Sequence, residues 1–141
     1  KVVEDIRNNP KDAAAFDLPV YYYKLNILTT ERYSRSQYIK YKHFTNHTDL
    51  RYNFFPEEIE NAGWHFSYLK DAEGIKNKIV SFSHQEFNLE KFTDTDIISD
   101  KVNNIVDLFD RPNVYFSITG IDDSYPIYVL ENRKNLEEWI V

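Results

Sequence analysis

The chain has 141 residues, 23 Asp plus Glu against 17 Lys plus Arg, and a formal net charge of -6. That length suits one domain spanning 1–141 with enough apolar content for a core, and the acidic balance argues against a nucleic-acid backbone or an anionic membrane as partner. No apolar run approaches the ~20 residues that span a bilayer, and the absence of cysteine excludes disulfides, thiolate metal sites and a cysteine nucleophile.

Lys1 to Asn9 reads as a helix closed by Pro10, with Val2, Val3 and Ile6 on one side. VYYYKLNIL (20–28) and SQYIKYKHF (36–44) are rich in β-formers. In the second, Tyr38, Lys40 and Lys42 alternate with Ile39, Tyr41 and His43, as in a strand with two distinct faces, and TTERYSR (29–35) is the expected connection of an antiparallel pair. Residues 45–61 read as a polar surface loop.

Trp64 to Leu69 is a short apolar strand, followed by a helix capped by Asp71 with Ile75, Ile79 and Phe82 on its inner face. A second helix starts at Thr93 or Thr95, buries a face containing Ile97, Ile98, Val102, Ile105, Val106 and Phe109, and stops at Arg111-Pro112. VYFSITGI (114–121) reads as a strand, and Pro126 opens a helical tail. The order of elements predicts an α/β fold, a mixed sheet flanked by helices.

The aromatic content is high, at 11 Tyr, 10 Phe and 2 Trp. Aromatic rings fill cores, and they also stack on the C–H faces of sugars. Two of the four histidines lie in aromatic settings, His65 in GWHFSYL (63–69) and His84 in SFSHQEFN (81–88). A helix running back along the strand brings His84 to the level of His65, about 10 Å to its side, at one edge of a sheet where α/β proteins build sites. Each histidine is either a hydrogen-bonded structural residue or part of such a site. His84-Gln85-Glu86 offers an imidazole, an amide and a carboxylate in succession, the groups of a metal ligand and a general base, or else a helix C-cap beside a solvated carboxylate.

Asp94-Thr95-Asp96 matches the metal–nucleotide triplet of many glycosyltransferases, but it precedes an amphipathic helix, so capping explains it better. Asp122-Asp123 reads as a turn. Asn46-His47-Thr48 is the only glycosylation sequon, relevant in a secreted protein. The sequence contains no glycine-rich phosphate loop, serine nucleophile elbow or HExxH motif.

GWHFSYL, the helix IKNKIVSFSHQEFN, FTD, DLFDRP and PIYVLEN together resemble glycosyltransferase family 17, the β-1,4-mannosyl-glycoprotein β-1,4-N-acetylglucosaminyltransferase family. The resemblance runs from about Pro19 to Asn132, and its most specific part is GWHFSY with SFSHQEFN at this spacing. It implies a GT-A-like fold and inverting transfer of N-acetylglucosamine from UDP-N-acetylglucosamine to a sugar hydroxyl of a glycan acceptor. It also implies a divalent metal such as Mn2+. In this block it marks Glu86 as the base, Trp64, Tyr68, His84 and Gln85 as donor- or acceptor-binding residues, and His65 as a metal ligand. Family members carry an acidic DxDE-like motif upstream of this region, so the chain resembles their C-terminal half, with the N-terminal half or an oligomer partner as its complement. A non-catalytic carbohydrate-binding or assembly module on the same scaffold is the alternative. The lack of cysteine fits the cytoplasm, and the family also occupies the secretory lumen.

Overall fold

A computed structural model describes residues 2–8, 11–52, 57–81 and 85–141. Its elements in chain order are α1 (Val2–Asn8), β1 (Ala13–Tyr22), β2 (Ile27–Ile39), α2 (His47–Tyr52), β3 (Glu58–Ile59), β4 (His65–Ser67), α3 (Ala72–Val80), α4 (Glu90–Thr93), α5 (Thr95–Asn103), β5 (Phe116–Ile118) and α6 (Ile127–Glu131). Short 3-10 helices occupy Tyr41–His43, Gln85–Phe87 and Arg133–Trp139. The strands form an α/β fold's mixed open sheet in the order β3–β1–β2–β5, with β4 also paired to β1. β1 and β3 run parallel, and β2 and β5 antiparallel.

Two compact units divide the chain: residues 1–20 with 31–65, and residues 21–30 with 66–141. In the first, Ala15 and Phe16 of β1 sit in register with Glu58 and Ile59 of β3. The Asp17 carboxylate accepts a bidentate pair of hydrogen bonds from Arg32, at 2.9 and 2.5 Å, and Arg32 also donates to the Asn61 side chain at 2.9 Å. Asp12 gathers Lys40 at 2.9 Å, Lys42 at 3.5 Å and His43 at 3.1 Å. The hydrogen bond from Lys40 and these surrounding cations hold the Asp12 carboxyl down to about 2.

The second unit is built around a reversal at Tyr23–Asn26, not at the TTERYSR segment, which lies inside the 13-residue β2. Thr, Tyr and alternating polar residues suit an extended strand, whereas Tyr23 adopts a left-handed φ of 64° that turns the chain. The turn is pinned by partners distant in sequence. Tyr23 N–H donates to the Ser67 carbonyl at 3.1 Å and Leu25 N–H to the Trp139 carbonyl at 2.7 Å. Asn26 is buried, and its amide donates to the carbonyls of Thr119 (3.1 Å) and Val141 (3.0 Å) while accepting from Val141 N–H at 2.9 Å. One side of the unit's core comprises Tyr21, Leu25, Tyr125 and Val129, with Phe66, Leu136 and Trp139 packed against them.

The other side of that core is aromatic. Tyr22 lies 5.5 Å from Tyr23, 5.1 Å from Tyr68 and 5.9 Å from Phe116, and Phe109 continues the cluster to Phe87 at 4.5 Å and Phe92 at 5.5 Å. α3 and α5 add Ile75, Ile79 and Ile98, all fully buried. α3 follows its expected pattern, with Asp71 accepting from Gly74 N–H at 2.8 Å, while Phe82 lies outside the described residues. α5 is shorter than its apolar periodicity implies. It ends at Asn103, Ile105 takes a left-handed φ of 53°, and Val106 N–H returns to the Lys101 carbonyl at 3.1 Å, a Schellman-type closure without glycine. Val106, beyond that end, is exposed, and so is Ile97 in the first turn. The cause is local competition: the Asp107 carboxylate accepts from Phe109 N–H (3.0 Å) and Arg111 N–H (2.9 Å), drawing this segment out of the helix.

Asp107 is also the buried partner of Arg111, whose Nη2 reaches it at 2.6 Å and donates to the Tyr22 hydroxyl at 3.2 Å. Burial pushes the Asp107 carboxyl up, but the hydrogen bonds and charge of Arg111 outweigh it and leave the group below the usual carboxylate range. Burial, followed by the Asp107 charge, raises the Tyr23 phenol, which donates to the Val106 carbonyl at 2.8 Å.

Two stability predictions arise. Asn26→Ala leaves the Thr119 and Val141 backbone groups without their buried partner and lowers unfolding free energy by about 2–3 kcal/mol, measured by urea denaturation. Because the folded-state Asp107 carboxyl is depressed, its contribution is complete above its unfolded value of about 3.9 and is lost as pH falls through the lower folded value. Asp107→Asn therefore destabilises at pH 7 and flattens the acid limb of the stability profile. An acid limb unchanged in the variant contradicts this assignment.

Candidate functional site

The family-like block begins with Gly63, where an added Cβ would come within 3.3 Å of Leu18 Cδ2, so a side chain there would crowd the approach to β4. Trp64 follows, with 38% of its surface exposed. His65 opens β4 and is half-buried, its imidazole stacked on the Tyr33 ring at 4.3 Å and 15°. Trp64 and His65 belong to the first unit, and Tyr68, Gln85 and Glu86 to the second.

Tyr68 departs from the strand with a left-handed φ of 59°, which turns the chain at the carboxyl end of β4. Its ring is buried beside Tyr22, with the Lys78 ammonium 4.1 Å from its centroid. Lys78 also donates to Ser67 Oγ at 3.2 Å, and burial, then the charge of Lys70, lowers its pKa. Tyr68 is thus a core ring that carries a cation. Glu86 is exposed on the 3-10 turn Gln85–Phe87, and Phe87 anchors that turn in the Phe92–Phe109 cluster. His84 lies outside the described residues, and of Gln85 only the backbone is described.

Sequence reasoning did not find one concavity of the second unit. It is an open cleft of about 770 Å³ where the turn after β4 meets the start of α3. Its walls come from Lys24 in the reversal, Leu69–Ala72, Ser99 to Asn103 on α5, and Glu138 with Trp139 near the C-terminus. Lys24 Nζ donates to the Glu138 carbonyl at 2.5 Å and lies 5.6 Å from the Trp139 ring centroid. Crevices outside the carboxyl ends of strands are the usual ligand sites of open α/β sheets. No local motif joins Lys24, Asp71, Asn103 and Trp139. A lone tryptophan beside acidic residues in the tail was the only available signal, and it resembles an ordinary amphipathic segment.

The acidic pairs resolve as structure. Asp94 caps α5, accepting from Asp96 N–H at 2.8 Å and Ile97 N–H at 3.1 Å. Asp122 accepts from Ser124 N–H at 2.9 Å in a turn. The sequon residue Asn46 lies before α2 and accepts from Asp49 N–H at 2.9 Å. Among the described residues, no three His, Asp or Glu side chains converge as a metal site. No chemical step is assigned through a metal. No described helix is long and apolar enough to cross a membrane.

Comparison with protein-family models, curated proteins and solved structures found no significant match to this chain.

Capping by Asp94 has a measurable consequence. Asp94→Ala lowers stability by about 1 kcal/mol and leaves manganese affinity unchanged in calorimetric titration. Loss of manganese binding with stability preserved would restore the metal reading of that triplet.

Proposed function

We propose that this chain contributes the acceptor side of an N-acetylglucosaminyltransferase resembling glycosyltransferase family 17, with a GT-A-like architecture. What carries the reading is the junction built by its most family-like stretch. The strained Tyr68 turn after β4 leads through Leu69 and Lys70 to the Asp71-capped α3, and Leu69, Lys70 and Asp71 line an open cleft of mixed polar and apolar character with an indole in its wall. Glu86, on its exposed turn in the same unit, is the proposed base.

In the proposed reaction, a glycan hydroxyl gives its proton to the Glu86 carboxylate while its oxygen bonds to the anomeric carbon of UDP-N-acetylglucosamine. The bond from that carbon to the diphosphate oxygen breaks on the opposite face, UDP leaves with the electron pair, and configuration inverts. A carboxylate serves as base because it is ionised at neutral pH and accepts the proton as the hydroxyl becomes acidic in the transition state.

Glu86→Gln keeps the size of the side chain and removes its basicity. In the full native protein with UDP-N-acetylglucosamine, manganese and an oligosaccharide acceptor, UDP release falls by roughly 10²–10⁴-fold, with donor and acceptor binding retained. Unchanged turnover in Glu86→Gln eliminates the base role. Glycan binding without UDP release from the wild type points to the non-catalytic carbohydrate module.

A further inference from the structure

We infer that the cleft bounded by Lys24, Asp71, Asn103 and Trp139 is a saccharide site for an uncharged oligosaccharide. The inference rests on the carbohydrate reading above for its class of partner, and extends it to residues outside the family-like block. The cleft's volume of about 770 Å³ falls within the range of about 300–1,000 Å³ typical of small-molecule sites.

Its lining combines the two surfaces a sugar presents. Trp139, Leu69 and Val102 supply apolar wall for C–H groups. The indole is preorganised, since its backbone carbonyl accepts from Leu25 N–H and the residue packs against the buried Tyr21–Leu25 core. Around it stand hydrogen-bonding groups of both kinds. Asp71 uses Oδ1 for Gly74 N–H, and its carboxylate retains further acceptor capacity. The Ser99 hydroxyl donates to the Thr95 carbonyl at 2.7 Å, so it faces a ligand as an acceptor. Asn103 supplies both an amide donor and a carbonyl acceptor.

Charge decides between a neutral polyol and a nucleotide. Lys24 and Lys70 are matched by Asp71 and Glu138 among the lining residues, so the cleft has no net positive field to collect a diphosphate. Lys24 is already held over the indole by the Glu138 carbonyl. A ligand with many hydroxyls and no charge matches this balance.

The chain's two tryptophans permit a direct test. Trp139 is isolated by difference: an emission change that Trp139→Phe abolishes reports on the cleft. The full native protein and its Trp139→Phe variant are titrated with neutral N-acetylglucosamine and mannose oligosaccharides, and separately with UDP. The expected result is a saturable change in Trp139 emission with an oligosaccharide and none with UDP. Asn103→Ala and Ser99→Ala each weaken the affinity roughly fivefold without altering the circular dichroism spectrum. A Trp139 response to UDP alone, or full affinity in both variants, overturns the assignment. Oligosaccharide binding detected by amide shifts with Trp139 silent overturns the cleft while sparing the carbohydrate reading. No saccharide binding by either probe overturns the cleft, and UDP release judges the transferase reading separately.

Discussion

The second unit hangs on the reversal at Tyr23–Asn26. Four residues without a glycine turn the chain through a left-handed tyrosine, and their polar groups find partners in β4, at the end of β5 and in the C-terminal tail. A non-glycine residue at positive φ costs of order 1 kcal/mol or more and persists only where surrounding contacts over-determine it. Here those contacts are the Ser67 and Trp139 carbonyls, the Asn26 amide network, and burial of the Tyr23 ring. The same contacts bring Lys24, Glu138 and Trp139 together, so one constraint closes the core and shapes the cleft.

The high aromatic content has a mainly structural explanation. Tyr22, Tyr23, Tyr68, Phe87, Phe92, Phe109 and Phe116 form a continuous cluster at ring separations of 4.5 to 6.0 Å. Tilted and edge-on pairs at such separations add favourable quadrupole interactions to the burial of large apolar areas. Tyrosines in this position also need somewhere to put a hydroxyl. Tyr22 receives Arg111, and Tyr23 donates to Val106, which ties the aromatic cluster to the Asp107–Arg111 pair. An aromatic count therefore does not identify a sugar platform; Trp139 differs from the core rings in being a half-buried indole in the wall of an open cleft.

Backbone strain and the cleft wall meet at the end of β4. Tyr68 leaves the strand at positive φ, its ring enters the core, and the next residues form a cleft wall before Asp71 starts α3. The proposed base rides on a separate turn whose hold on the core is Phe87. In this arrangement the cleft wall after β4 and the Gln85–Phe87 turn are loops, positioned by rigid aromatic and aliphatic packing beneath them.

Much of the local structure was legible in the residues themselves. Asp71 and Asp94 announce helix starts because a short carboxylate satisfies free N–H groups, and Ile75 and Ile79 mark the buried face of α3 by spacing. The extent of β2 and the early end of α5 were not legible. The first depends on a tyrosine accepting positive φ because distant carbonyls hold it, and the second on Asp107 capturing two N–H groups that periodicity assigns to a helix. The block from Trp64 to Glu86 could be singled out from its residues, but the cleft could not. Its walls come from four separated stretches, and hydrogen bonds between Lys24, Leu25 and the C-terminal carbonyls bring them together. By itself the sequence determined the α/β class, the caps and the inner face of α3, because those follow from local bonding and periodicity. Which residues share a cavity was decided only by tertiary structure, because proximity there depends on long-range partners that no local pattern encodes.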